Sequence, residues 1–299
     1  MKTILILTSL LFVLGSCVKN NPDPSWIEVT AWDLVVNPNS PLTGNENYPG
    51  VLTQDFSNAW VYVENDLIGV FELPFKIPVL YEGDVELKIY PAVLNNGISA
   101  TKKIYPFVAP YTINTTLVKN EVLTINPSTH YYEEVKFFVE DFEDGGGVLI
   151  ADGNSSLASL ERISAGPLLD PSVTQGNFGR ITLTETEDLY VGSTIFNNGT
   201  LNMDLPSGTE VYLEIDYHNT NSLVTGVIAV DGSTSTDNPN VRINGQDAST
   251  IRWKKIYIDL RDIVSGSPNA DYFEFSFNAL LDEGTTGEIN IDNIKAVYF

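Results

Sequence analysis

Residues 211–218 read Val-Tyr-Leu-Glu-Ile-Asp-Tyr-His. Val211, Leu213, Ile215 and Tyr217 alternate with Tyr212, Glu214, Asp216 and His218. A side-chain period of two marks a strand with one packed face and one wet face. Working outward, the same period recurs. Ile256, Ile258 and Leu260 alternate with Tyr257 and Asp259. Phe273, Phe275 and Phe277 alternate with Tyr272, Glu274, Ser276 and Asn278, and Ile289 and Ile291 alternate with Asn290 and Asp292. These segments predict an antiparallel sheet solvated on one side. With long loops between the strands, residues 131–299 fit a β-jelly roll better than a seven-stranded immunoglobulin domain. One helix is expected over residues 156–163, where Leu157, Leu160 and Ile163 share a face.

The preceding part is also β-rich, so the chain is expected to be all-β. Trp60-Val61-Tyr62-Val63, the turn Glu64-Asn65-Asp66 and Leu67-Ile68-Gly69-Val70 give a hairpin signal. Val85, Leu87 and Ile89 then alternate with Glu86, Lys88 and Tyr90. Pro74, Pro78, Pro91, Pro106 and Pro110 suit edges and corners, not central strands. Strands of this length and spacing predict an immunoglobulin-like β-sandwich, with Trp26, Trp32 and Trp60 in its core. Composition shifts near residue 130. Residues 18–130 hold 12 acidic and 6 basic side chains and 11 of the 16 prolines, whereas 131–299 hold 27 acidic, 9 basic and 5 prolines. The expected division is 1–16 leader, 17–25 tether, 26–130 sandwich and 131–299 jelly roll. The stretch Val61–Pro91 also resembles, weakly, the short PEGA-type surface domains of bacteria.

The second part carries a wider resemblance. Phe138-Val139-Glu140-Asp141-Phe142-Glu143-Asp144-Gly145 opens it, Trp253-Lys254-Lys255-Ile256-Tyr257-Ile258-Asp259-Leu260 lies near its end, and Ile289-Asn290-Ile291-Asp292-Asn293-Ile294 closes it. This order resembles the galactose-binding-like jelly rolls that include many carbohydrate-binding modules. The resemblance implies a framework role for Trp253 and a structural calcium where the first and last strands meet. Glu140, Glu143 and Asp292 match that place in the chain, and hard cations take carboxylate oxygens. The strand period puts Glu140 and Glu143 on opposite faces, so both bind one ion only through a bulge.

Residues 1–17 read MKTILILTSLLFVLGSC. Lys2 and a mainly apolar run over residues 4–14 make a signal-peptide pattern too short to span a bilayer. Leu14-Gly15-Ser16-Cys17 resembles the lipobox of bacterial lipoproteins, and the whole chain resembles Bacteroidota-type envelope lipoproteins. That implies acylation of Cys17, the chain's single cysteine, and membrane anchoring through its acyl chains. Residues 18–25, with Pro22 and Pro24, read as a polar tether. The expected site is the bacterial cell envelope, at the outer membrane.

Composition excludes other classes. With 39 acidic against 16 basic residues the net charge is −23, which disfavours binding to nucleic-acid phosphates. A hydrophobic content of 43% exceeds that of a disordered acidic chain. No nucleophile-elbow, zinc-protease, P-loop or dinucleotide motif is present. His130 and His218 read as joint and strand-end histidines rather than catalytic bases, so no enzyme activity is expected. Sugar binding needs aromatic platforms with planar polar groups. Tyr212, Glu214, Asp216 and His218, with Tyr272, Glu274, Ser276 and Asn278, supply both if their strands are neighbours, with Asn177 and Arg180 in a nearby loop. Two functions follow: glycan or polysaccharide binding by the jelly roll, or a structural adhesion lipoprotein that docks envelope proteins.

Overall fold

The computed structural model describes residues 22–39, 47–143, 150–164, 176–194 and 203–299. The expected leader and Cys17 lie outside the described residues. Within them the chain is all-β apart from one short helix. Ten strands come first: β1 (Ser25–Val29), β2 (Asp33–Leu34), β3 (Asn58–Val63), β4 (Asp66–Glu72), β5 (Phe75–Val79), β6 (Gly83–Leu94), β7 (Lys102–Ile104), β8 (Tyr111–Leu117), β9 (Val122–Ile125) and β10 (Ser128–Thr129). They form a sandwich of the immunoglobulin-like kind. One sheet runs β5-β1-β9, the other β4-β3-β6-β7 with β8 also on β6, and β2 and β10 pair in parallel beside them. Ile27, Val29, Val61, Leu87 and Ile89 fill the space between the sheets, as their alternation requires.

The β3–β4 hairpin turns through Glu64 and Asn65, with Glu64 at φ 56°. Pro78 sits on the edge strand β5, where a missing N–H is tolerated. Pro91 departs from the expectation, because it lies inside the central strand β6. It falls where the neighbour on one side changes from β8, ending at Ile89, to β7, starting at Ala92. The Pro91 carbonyl still accepts from Tyr105 N at 2.9 Å, so the missing donor costs one bond at the very end of the β7 ladder. Of the three tryptophans expected in this core, only Trp32 is buried there, at 4% exposure. Trp26 and Trp60 are half-buried. They occupy the outward phase of β1 and β3, because Ile27 and Val61 take the inward phase.

The second sandwich uses β11 (Lys136–Glu140), β12 (Ile150–Asp152), β13 (Leu160–Ile163), β14 (Phe178–Thr184), β15 (Leu189–Thr194), β16 (Val211–Asn219), β17 (Leu223–Asp231), β18 (Thr234–Ile243), β19 (Lys254–Asp259), α1 (Arg261–Gly266), β20 (Tyr272–Leu280) and β21 (Thr286–Tyr298). One sheet is β13-β14-β21-β16-β19, with β11 also on β21; the facing sheet is β12-β15-β20-β17-β18. This is the jelly-roll layer pair. Its core is Leu213, Ile215, Val227, Ile258, Phe273, Phe275, Phe277, Ile289 and Ile291 from the alternating strands. The helix expected over residues 156–163 is absent. Leu160–Ile163 is an edge strand on β14, and Leu157 is 56% exposed. The apolar spacing fitted a helix, but an open ladder on β14 supplies the backbone partners instead.

β21 shows why period two fails at one point. Ile289 and Ile291 face the core, and so do Ile294 and Ala296. Two β21 residues, Asn293 and Ile294, oppose Ile215 alone, a β-bulge between Glu214 and Asp216 in the pairing. Asn293 takes φ 47° there, a left-handed conformation asparagine tolerates better than most residues.

The two sandwiches share buried surface. Phe138 packs into the second core while its neighbour Phe137 packs into the first, joined there by Tyr131, Val135, Tyr212, Tyr257 and Val297. Tyr105, Phe107, Tyr212, Tyr257 and Phe56 form an aromatic cluster with ring centroids 5.0–5.9 Å apart.

Candidate functional site

The residues expected to share one sugar-binding face fall in three places. Tyr212, Glu214 and Asp216 do point away from the jelly-roll core, yet each is 0% exposed. The first sandwich covers them. Glu214 Oε1 accepts hydrogen bonds from the Tyr105 hydroxyl and, at 2.9 Å, from the Tyr131 hydroxyl. Its other oxygen lies 2.9 Å from the Lys255 ammonium. Asp216 accepts from Thr53 Oγ1 at 2.7 Å, Asn293 Nδ2 at 3.0 Å and Lys255 Nζ at 3.3 Å. Burial alone raises a carboxyl pKa, but Lys255 and Lys295 hold Glu214 below its ordinary value. Burial opposes charge on Lys255, yet Asp216 and Glu214 raise it above its ordinary value. This is a buried ionic joint between the modules, not an exposed sugar-binding face.

His218 and Arg180 stay on that sheet beyond the covered end. His218 is 9% exposed, its ring 5.7 Å from Trp253, which itself packs on Phe178. Burial lowers the His218 pKa. Arg180 Nε donates to Asn290 Oδ1 at 2.8 Å and lies 3.5 Å from Glu288. Trp253 is 7% exposed, as a framework residue is. Asn177 donates its backbone and side-chain amides to Glu143. The calcium ligand set is not brought together. Glu140 is buried and accepts from Phe142 N at 2.6 Å, Glu143 is exposed, and buried Asp292 accepts from Asn293 N at 2.7 Å. Among the described residues no group of three His, Cys, Asp or Glu side chains is placed to hold a metal ion.

Tyr272, Glu274, Ser276 and Asn278 belong to the facing sheet, on β20, so their strand is not a neighbour of β16. Their outward side is not covered by the first sandwich in the way β16 is. Register places Tyr272 beside Val230, Glu274 beside Ile228, Ser276 beside Gly226 and Asn278 beside Val224. On the other flank Ser193 pairs Ser276 and Val191 pairs Asn278. Ser276 Oγ donates to Asp237 Oδ1 on β18 at 2.8 Å. Burial raises the Glu274 carboxyl above its ordinary pKa, opposed by a hydrogen bond with Ser193. Gly226 allows a close approach here rather than a notch: a Cβ would collide with Ser276 Oγ at 2.4 Å and Asp237 Oδ1 at 2.9 Å, so these side chains fill the space over it. The face therefore offers a half-buried tyrosine, the Glu274 and Asp237 carboxylates, the Ser193 hydroxyl, the Asn278 amide and short apolar strips at Val224 and Ile228, while Ser276 is buried and bonded to Asp237. Those groups suit the hydroxyls and C–H faces of a sugar chain. Sequence reasoning missed Ser193 and Asp237; only strand order brings them beside Tyr272–Asn278.

The chain matches no protein-family model and no curated protein. Among solved structures it is similar to the enzymatically active domain of bacteriophage CBA120 tailspike protein 4, at 13% identity over 53% of this chain and 20% of that one, TM-score 0.37. The chain thus spans about a fifth of that tailspike domain's length. It is also similar to a xylan-binding domain of carbohydrate-binding-module family 22, at 12% identity over 53% of this chain and 92% of that one, TM-score 0.34. A third is the K1 cleaved adhesin domain of Lys-gingipain from Porphyromonas gingivalis W83, at 16% identity over 54% and 97%, TM-score 0.36.

Proposed function

We propose that this chain is a non-catalytic, lipid-anchored bacterial envelope protein that binds a neutral glycan on the outer face of β15-β20-β17-β18. The observation that supports this most is the row of Ser193, Glu274, Asp237 and Asn278 across one sheet face, with Tyr272 at its end. Carboxylates and amides accept from and donate to sugar hydroxyls, and the tyrosine ring supplies an apolar platform. The carboxylates favour a neutral chain over an anionic one on this face.

The test is a glycan array and calorimetric titration with the chain from Val18 onward, using neutral polysaccharides. Binding that Tyr272→Ala and Glu274→Ala each weaken about tenfold or more, roughly 1.4 kcal/mol, supports the reading. No neutral glycan bound, or full affinity in both variants, removes this face as the site. Anchoring is tested by palmitate labelling: loss of label and of membrane association in Cys17→Ala is expected, and retained label overturns it. A co-purifying envelope protein with no glycan bound favours protein docking instead.

A further inference from the structure

Two clefts of about 260 and 400 Å³ open at the seam between the sandwiches and share Lys254. Their size suits a small ligand. The first sandwich contributes Asp55 and Asn96, the second Tyr217, Asn244, Arg252 and Lys254. The polar groups on these walls divide into spent and unspent. Asp216 is held by Thr53, Asn293 and Lys255, Asp247 accepts from Ser249, and Arg242 pairs with Asp282 at 2.9 Å. By contrast, neither Arg252 nor Lys254 has a carboxylate oxygen within 4 Å among the described residues. The side chains of Asp55, Asn244 and Tyr217 make no hydrogen bond among the described residues either. Tyr217 is half-buried there, and burial raises its pKa.

In a chain of net charge −23, the seam brings two unpaired cations beside a half-buried tyrosine and one free amide. We propose that this seam binds a carboxylate-bearing sugar, with Arg252 and Lys254 holding the carboxylate. Asp55 and Asn244 meet the ring hydroxyls, and Tyr217 packs against the ring. Arginine and lysine recognise a carboxylate by charge-assisted hydrogen bonds. Asp55 makes the site unwelcoming to a bare anion without hydroxyl donors. The chain's net charge of −23 disfavours a long polyanion, so the ligand is a single acidic residue or a chain terminus. This site is separate from the β20 face and stands or falls independently of it.

The test is isothermal titration of the chain from Val18 onward with D-galacturonate, D-glucuronate and N-acetylneuraminate. D-galactose, D-glucose and acetate serve as controls. Saturable binding of at least one acidic sugar, weakened about tenfold or more by Arg252→Gln with Lys254→Gln and unchanged by Tyr272→Ala, is expected. Arg252 is exposed and Lys254 half-buried, so the double variant should melt as the parent does. The proposal is overturned if no acidic sugar saturates, if acetate or the neutral sugars bind as well, if the double variant keeps its affinity, or if Tyr272→Ala abolishes binding.

Discussion

Lys295 is 0% exposed, and its ammonium donates to the Val51 carbonyl. Burial, then repulsion from Lys255, lowers its pKa to about 8. In the unfolded chain the same group titrates near about 10.4. Between those values the unfolded state binds more protons, so this residue makes stability rise with pH. Below pH 8 the buried charge is a constant cost. Comparing melting temperatures of the parent and Lys295→Met from pH 7 to 10 isolates the effect, because tyrosine titration is common to both. The difference should shift in the parent's favour above pH 8; a flat difference means the ammonium is solvated. Asn293 gives a second residue-scale test. Its φ of 47° and its bond to Asp216 at 3.0 Å both matter. Asn293→Gly keeps the conformation and loses the bond, whereas Asn293→Ala loses both. Alanine should cost more than glycine by about 1 kcal/mol in urea denaturation, and the reverse order would remove the bulge as the cause. The Ile-Asp-Asn-Ile run hinted at this bulge, since Ile294 breaks the period that Ile289 and Ile291 set.

At the scale of elements, the alternation in β16, β19, β20 and β21 was legible because a strand's period is set by covalent geometry. What covers each polar face was not legible, since period two says only that two faces differ. Across β16 and β19, Glu214 pairs Tyr257 and Asp216 pairs Lys255. Cross-strand acid–base complementarity with tyrosines was the available signal that this polar face is dry. The same limit split the expected site: sheet membership, which separates β16 from β20, depends on long-range pairing. The dry face can be checked. Tyr105→Phe leaves Glu214 with Tyr131 and Lys255 and should cost about 1–2 kcal/mol. Glu214→Ala leaves the Lys255 ammonium, 2% exposed in its side chain, short of a counter-charge and should cost about 3–5 kcal/mol. Equal, small costs would mean that water enters the joint.

For the whole molecule, the alternating strands led to an expectation of two successive sandwiches, but not of their mutual burial. Phe137 and Phe138, side by side on β11, enter different cores, and Glu214, Asp216, Lys255 and Lys295 are all buried at the joint. Separating the units would strand those charges. Scanning calorimetry should therefore show one cooperative transition for the chain, with calorimetric and van't Hoff enthalpies in agreement. Two resolved transitions would mean that the units fold independently. The first strand has a mechanical corollary. β1 is bonded on one edge to β5, antiparallel, and on the other to β9, in parallel. Tension on the chain ahead of Ser25 therefore acts along both ladders and must slide two rows of bonds together, instead of peeling them one at a time. A pull directed along β1 from Ser25 thus loads both ladders in shear.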